Sequence, residues 1–324
     1  SLLEKSLLGN LNMKIITKAE IELLLPSLDP IASIEQGFVE YSANKCNVPP
    51  VGELIMDKGE VHIKYGCVTG EDFYVIKIAS GFYGNQKIGL CTSNGMMCVF
   101  SQDTGEAVAI LHDECLLTDI RTAIAGTISA KYLAPKDVKA IGIVGTGVQA
   151  RMQLEYLNSV TDCRDVIVWG RSQEGLLSYK KDMNAAGYKI KTTNDMDELC
   201  ANANLIVTTT PALEPLISND IIRAGTHITA MGSDTLEKQE LDPEILSRAD
   251  IVVVDSIPQS ETRGEVCKAM EAGKISIEDI TELGSMINAC GGRTSEDQIT
   301  VADLTGVAVQ DIKIAESIYL ASLT

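Results

Sequence analysis

Residues 138–172 constrain this chain more than any other stretch. Ala140-Ile141-Gly142-Ile143-Val144 is a short apolar run rich in β-branched residues, the composition of a buried strand. Gly145-Thr146-Gly147 breaks it. A helical pattern then runs from Val148 through Gln153, Leu154 and Leu157, and a second β-branched run, Val166-Ile167-Val168-Trp169, follows. Strand, glycine turn, helix and strand make one βαβ unit.

The turn reads G-x-G-x-x-A, and each position has a physical task. Gly145 makes the tight turn, Gly147 lets the backbone approach a pyrophosphate, and Ala150 lets the helix pack close to the sheet. Thr146, Val148 and Gln149 complete the loop and first turn, whose free N–H groups favour phosphate. The strand–turn–helix context favours a dinucleotide site over a plain glycine-rich turn. An NAD-preferring site usually carries Asp or Glu at the end of the second strand, about 20 residues past the glycines. Here Trp169-Gly170-Arg171-Ser172 holds that place, with no carboxylate before Glu174. A guanidinium and a hydroxyl suit a 2′-phosphate. The expectation is NADP(H), with NAD(H) as the other possibility. The alternative for Arg171 is stacking on adenine or exposure to water.

The chain has 324 residues, enough for two domains, and 45% of them are apolar. A net charge of −18 argues against nucleic acid or an anionic membrane as partner. No apolar run reaches membrane-spanning length, and no leader resembles a signal peptide. Nine cysteines without C-x-x-C pairing point to reduced thiols and a cytoplasmic location. His62, His112 and His227 are scattered, so no metal site is expected.

Residues 1–12 read as extra sequence, either added ahead of a natural start at Met13 or a helical extension, and a strand follows Met13. Thr17 with Glu20 is a capping box, and Pro30 opens another helix. Short strands punctuated by turns are expected over 60–65, 73–81, 95–101 and 107–111, as an antiparallel sheet, followed by a long helix over 116–133. Further strands around 189–191, 205–210, 227–231 and 251–254 bring the nucleotide sheet to six, separated by helices that include one at 219–224. Ligand contacts belong at the carboxyl ends of these strands. Those ends hold Thr208 and Thr209, and Met231, Gly232, Ser233 and Asp234. From Thr262 the chain reads as helical, and the last helix is expected to return to the N-terminal domain.

Further stretches carry a resemblance. They are Val75-Ile76-Lys77-Ile78 with Asn85, Leu117-Thr118-Asp119-Ile120-Arg121-Thr122-Ala123, the glycine turn, Met231-Gly232-Ser233-Asp234 with Lys238-Gln239-Glu240-Leu241, and Asp303-Leu304-Thr305-Gly306-Val307-Ala308-Val309-Gln310-Asp311. In this order they resemble the ornithine cyclodeaminase/μ-crystallin family. The resemblance implies an α/β fold: a Rossmann-type doubly wound sheet plus a split α+β substrate and dimerisation domain. The domains would be 1–133 with 302–324, and 134–301 for NAD(P). It also implies a homodimer and hydride transfer at the α-carbon of a small amino or imino acid.

Arg121 is suited to a bidentate grip on a substrate carboxylate, and the resemblance assigns it that role. Lys77 lies between Ile76 and Ile78, where a lysine is costly without a task. A buried lysine can serve as a proton donor, and the resemblance places it at the substrate, against the alternative of an edge-strand lysine facing water. Asp234 resembles the family's acid/base; its alternative is a helix N-cap or a turn residue. Many relatives carry an arginine after a Pro-Pro pair. Here Val51-Gly52-Glu53 follows Pro49-Pro50, and Lys64 is the candidate replacement charge. Thr92 and Val307 would line the nicotinamide end.

Two enzyme readings compete. One is NAD(P)H-dependent reduction of a cyclic imine such as Δ1-pyrroline-2-carboxylate to L-proline. The other is NAD-dependent cyclodeamination of L-ornithine to L-proline and ammonia. Arg171 favours the first, and Asp234, a possible seat for a distal ammonium, favours the second. A third reading is an NADP-dependent small-ligand binder of the crystallin kind.

Overall fold

The computed structural model describes residues 13–324; both readings of residues 1–12 fall outside them. Two compact units divide the chain. One comprises the described residues up to Thr118 together with Ala308–Thr324, the other Asp119–Val307.

The first unit begins with β1 (Lys14–Thr17), α1 (Lys18–Leu24) and α2 (Pro30–Ser42). Thr17 and Glu20 form the expected capping box at α1, and Asp29 with Pro30 starts α2. The strands β2 (Cys46–Asn47), β3 (Gly52–Met56), β4 (Gly59–Val68), β5 (Phe73–Gly81), β6 (Ser93–Ser101) and β7 (Ala107–His112) follow. They form a seven-stranded sheet in the order β1-β7-β6-β5-β4-β2, with β3 paired to β4. All pairs are antiparallel except β1 with β7. The helix α3 (Leu116–Leu133) follows with the span its sequence pattern gave, and from Asp119 onward it belongs to the second unit.

The second unit holds β8 (Ile141–Val144), α4 (Val148–Tyr156), β9 (Asp165–Trp169), α5 (Gln173–Ala185), β10 (Lys189–Thr193), α6 (Met196–Asn202), β11 (Leu205–Thr208) and β12 (His227–Ala230). It continues through α7 (Pro243–Arg248), β13 (Ile251–Val254), α8 (Ile257–Ser260), α9 (Gly264–Glu271), β14 (Ile280–Glu282), α10 (Leu283–Asn288) and β15 (Thr300–Asp303). Every pair in its sheet is parallel, in the order β10-β9-β8-β11-β12-β15-β13-β14. This is a doubly wound α/β sheet. Alternate residues of one strand face opposite cores: Ile206 packs on one side, Leu205 and Val207 on the other.

The sheet has eight strands, not six. β14 and β15 lie in the stretch after Thr262 that reads as helical, and β15 inserts between β12 and β13. All four β15 residues are buried, including Thr300 and Asp303 at its ends, so the strand lacks the apolar signature of a buried strand. The unit therefore keeps the chain through Val307, beyond the expected boundary at 301. The expected helix at 219–224 is one 3₁₀ turn, Asn219–Ile221. The last helix, α11 (Ala308–Ala321), returns to the first unit and packs on α2, β4, β5 and β6.

Candidate active site

Gly145 has φ +117°, and a side chain there would meet Thr209 Oγ1 at 2.6 Å, so only glycine serves. Gly147 is the N-cap of α4, and the space where its Cβ would project is open to 4 Å. Ala150 is fully buried where α4 meets the sheet. Arg151 straps the turn from behind. Its guanidinium bonds the Thr146 and Gly147 carbonyls and pairs with Asp182 at 2.7 Å. Thr146 is wedged against Gly170 and Gly175, and Val148 is 59% exposed beside the turn. An open glycine cradle at a helix N-terminus fits the pyrophosphate of a dinucleotide.

At the end of β9, Arg171 is exposed, and no carboxylate stands between Trp169 and Ser172. The Ser172 hydroxyl accepts the Gly175 N–H at 3.2 Å and caps α5. It is therefore already engaged, which its sequence position did not reveal.

The carboxyl ends of β11 and β12 carry the remaining cofactor candidates. Thr208 is buried. Thr209 donates from its amide and its hydroxyl to the Val144 carbonyl, at 2.9 and 3.1 Å. Met231 and Gly232 are half-buried, and Ser233 donates its hydroxyl to the Lys238 carbonyl at 2.6 Å. Asp234 lies 2.7 Å from Lys238 Nζ, and Arg263 donates to its main-chain carbonyl at 3.3 Å. Val307 is buried in a loop gathered by Asp255, whose carboxylate accepts N–H groups of Thr305, Gly306 and Val307. The anchors Asp255 and Arg151 were missed in the sequence, because a carboxylate after a strand and an arginine after a glycine turn are common.

Arg121 is 6% exposed on α3. Gln149 and Gln153, one turn apart on α4, bracket it. The Gln149 amide donates to the carbonyl and carboxylate of Asp119, each at 3.1 Å, and the Gln153 amide to the Thr122 carbonyl at 3.0 Å. Gln149, expected at the cofactor, thus uses its side chain to fix the helix that carries Arg121. Gly126 gives Gln153 its space, since a Cβ there would collide with the Gln153 side-chain amide.

In the first unit, one face of the sheet presents the row Ile16, Leu111, Met97, Lys77 and Lys64, in register across β1, β7, β6, β5 and β4. Lys77 is 2% exposed on a central strand, not an edge, and Lys64 beside it is 8% exposed. Two lysines directly opposite each other repel, so counter-charge is required. Asp311 of α11 supplies it at 3.1 Å from Lys77 Nζ. Asp113, buried at the start of α3, faces Lys77 too. Burial pushes its carboxyl up to about 6, while the Leu117 N–H and Lys77 pull the other way. Nothing in the sequence around Asp311 signals this role, because its partner lies on a distant strand. Thr92 is half-buried ahead of β6, and its carbonyl accepts the Phe82 N–H at 2.7 Å. Among the described residues no group of acidic, cysteine and histidine side chains is arranged to hold a metal ion.

A parallel doubly wound sheet with this turn defines a dinucleotide-binding α/β protein. The family model described as the ornithine cyclodeaminase/mu-crystallin family matches residues 12–323, and the chain belongs to that family. It is 41% identical over 312 residues to an uncharacterized cyclodeaminase of Sinorhizobium fredii, covering 94% of each chain. An archaeal alanine dehydrogenase, solved as a dimer with bound NAD, superposes with TM-score 0.87 at 32% identity over 96% of each chain. The Δ1-pyrroline-2-carboxylate reductase of Thermococcus litoralis, solved with NADH and L-proline, gives TM-score 0.89 at 27% identity over 96% of this chain and 98% of that one.

Proposed function

We propose that this chain is an NAD(P)H-dependent imino acid reductase that converts Δ1-pyrroline-2-carboxylate to L-proline. The observation that carries this choice is the ion pair between Asp234 and Lys238. In a cyclodeaminase, Asp234 would have to receive the distal ammonium of ornithine. Here a lysine of the same loop already meets that carboxylate at 2.7 Å. A cyclic imine has no distal ammonium, and the likeness to a reductase solved with L-proline supports the same substrate class.

A reduced nicotinamide dinucleotide, its pyrophosphate held at the glycine turn, would supply the hydride that C2 of the imine takes up. Arg121 holds the substrate carboxylate through both oxygens, which fixes position and orientation together. Lys77 holds a proton for the imine nitrogen, and its pair with Asp311 keeps that ammonium in place. Lys64 adds positive charge for an anionic substrate. Thr92 and Val307 bound the nicotinamide end, and Thr208, Thr209, Met231, Gly232 and Ser233 line the cofactor loops.

Arg171 selects NADPH, because the end of β9 offers a cation and no carboxylate to a 2′-phosphate. The enzyme works in the cytoplasm, consistent with its nine free thiols. It assembles as a homodimer through the sheet face opposite Lys77. There the rows Tyr65, Ile76, Cys98, Ile110, Ile15 and Ile63, Ile78, Met96 run in register, all at least partly exposed. A sheet apolar on both faces needs a cover on each.

The test is to follow NADPH oxidation with Δ1-pyrroline-2-carboxylate, and in parallel ammonia release from L-ornithine with NAD+. Imine reduction without ammonia release is the expected result; the reverse pattern identifies a cyclodeaminase.

A further inference from the structure

Glu240 lies in the polar run Lys238-Gln239-Glu240, which reads as surface, yet its side chain is fully buried. Each of its carboxylate oxygens accepts two hydrogen bonds. Oε1 takes the Thr210 N–H at 2.6 Å and the Thr210 hydroxyl at 2.7 Å. Oε2 takes the Thr208 hydroxyl at 2.7 Å and the Gly232 N–H at 2.9 Å. One carboxylate thus ties the end of β11 to the loop after β12, the loop that carries Asp234. The two loops are pressed together at the same point. A Cβ on Gly232 would run into the Thr210 carbonyl and come within 2.5 Å of Glu240 Oε2.

The latch is itself anchored. The main-chain carbonyl of Glu240 accepts the Leu216 and Ile217 N–H groups at 2.8 and 3.1 Å, and its own N–H donates to Glu265 Oε1 at 2.7 Å. Glu265, buried on α9, takes the Leu241 N–H with its other oxygen. Such a network is rigid when every member is satisfied and costly when one is missing.

We propose that Glu240 is a positioning residue for hydride transfer. It sets the spacing of the β11 and β12 loops, and through Gly232 the place of Met231, Ser233 and Asp234 at the nicotinamide end. The glycine turn at the end of β8 is the main anchor of the nucleotide, and the Glu240 carboxylate bonds none of its residues directly, only Thr208, Thr210 and Gly232. The inference rests on the proposed reductase reading.

Glu240→Gln is the direct probe. Its amide has one acceptor oxygen, so whichever way it turns an NH₂ faces either the Thr210 or the Gly232 N–H. Thr210→Val is the milder probe and removes one donor. Two reporters separate the ends of the bound cofactor: the single tryptophan, Trp169 at the end of β9, for binding at the adenine end, and the emission of bound NADPH for the surroundings of the nicotinamide. Circular dichroism checks folding.

For Glu240→Gln we expect folded protein, near wild-type affinity by Trp169 quenching, altered NADPH emission, and kcat lowered by about tenfold with little change in KM for the imine. Wild-type kcat and emission in the folded variant overturn the proposal, as does an equal loss of affinity and turnover. If Glu240→Gln fails to fold, Thr210→Val decides: a lowered kcat with altered emission supports the latch, and wild-type values overturn it. If the wild type reduces no cyclic imine, the reductase reading fails, and the emission comparison alone still decides the latch.

Discussion

The Lys77 ammonium lies 3.1 Å from the Asp311 carboxylate, and the two side chains are 2% and 1% exposed. A buried pair of this kind is poor evidence for stability, since hydrophobic residues of equal volume would serve as well, but removing one partner is costly. Lys77→Met should therefore lose turnover and about 3–5 kcal/mol of stability together. Adding Asp311→Asn should restore much of the stability and none of the turnover. Urea unfolding and imine reduction, measured on the single and double variants, separate the two roles. A Lys77→Met enzyme with wild-type turnover would remove Lys77 from the chemistry.

Arg171 gives the second prediction. Arg171→Asp should raise the KM for NADPH and leave NADH unchanged or improved. A charge-assisted contact of roughly 1.5–3 kcal/mol corresponds to about ten- to a hundredfold. Because the Ser172 hydroxyl already caps α5 at 3.2 Å from the Gly175 N–H, Ser172→Ala should affect NADPH less than Arg171→Asp does. Wild-type preference for NADH would refute the assignment.

The glycine turn and the α3 helix were legible in the sequence because their signals are local: the spacing of Gly145, Gly147 and Ala150 after an apolar run, and a long run of helical periodicity. Lys77 was legible from its apolar neighbours. What stayed hidden depends on partners far along the chain. β15 opens on Thr300 and closes on Asp303. Their burial is offset by the Leu133 carbonyl and the Val266 N–H, at 2.9 and 2.8 Å, and neither partner can be read from a four-residue window. Glu240 looks like a surface residue for the same reason. Polar residues that tertiary contacts satisfy defeat a reading based on hydrophobic pattern.

Assembly gives the third prediction. Ile78 is 38% exposed in the centre of the apolar face opposite Lys77. Ile78→Asp should place a charge there and shift a dimer toward monomer, which light scattering at micromolar concentration would resolve. The fold should survive, because the side chain points away from the core beneath α11. A wild-type monomer would refute the homodimer, and an unchanged dimer in the variant would move the interface elsewhere.

Asp303 predicts how stability depends on pH. Burial pushes its carboxyl from 3.8 up to about 7, aided by the like charges of Asp255 and Glu240 and opposed by the Val266 N–H. A carboxyl raised in the folded state binds its proton more tightly there than in the unfolded chain. Its stabilising contribution is fully present below pH 3.8 and is lost as pH rises through about 7. Asp113, raised to about 6, and Glu316, raised to about 7, act in the same direction. His227, buried and lowered to about 3, acts oppositely as pH falls below 6.5. Asp303→Asn should therefore flatten the loss of Tm between pH 5 and about 7.5. Thermal unfolding across that range checks it, and an unaltered slope would show that Asp303 does not titrate there.

The last prediction concerns Arg121. The reaction needs C2 of a planar imino acid held at hydride-transfer distance, and the carboxylate is the strongest handle such a substrate offers. A guanidinium grips both oxygens, whereas lysine keeps the charge and loses the fork. Gln149 and Gln153 fix α3 on either side of Arg121 by holding Asp119 and Thr122, so a replacement cannot easily draw the helix into a compensating position. Arg121→Lys should therefore lower kcat as well as raise KM, because misplacement by about 1 Å can cost about a hundredfold. NADPH binding, measured by fluorescence titration, should stay close to wild type. Gln149→Ala should reproduce part of the kcat loss with the guanidinium still present, since it loosens the helix and leaves the handle. If Arg121→Lys turns over like the wild type, Arg121 does not orient the substrate, and the carboxylate must be held by another cation, with Lys64 the first to replace.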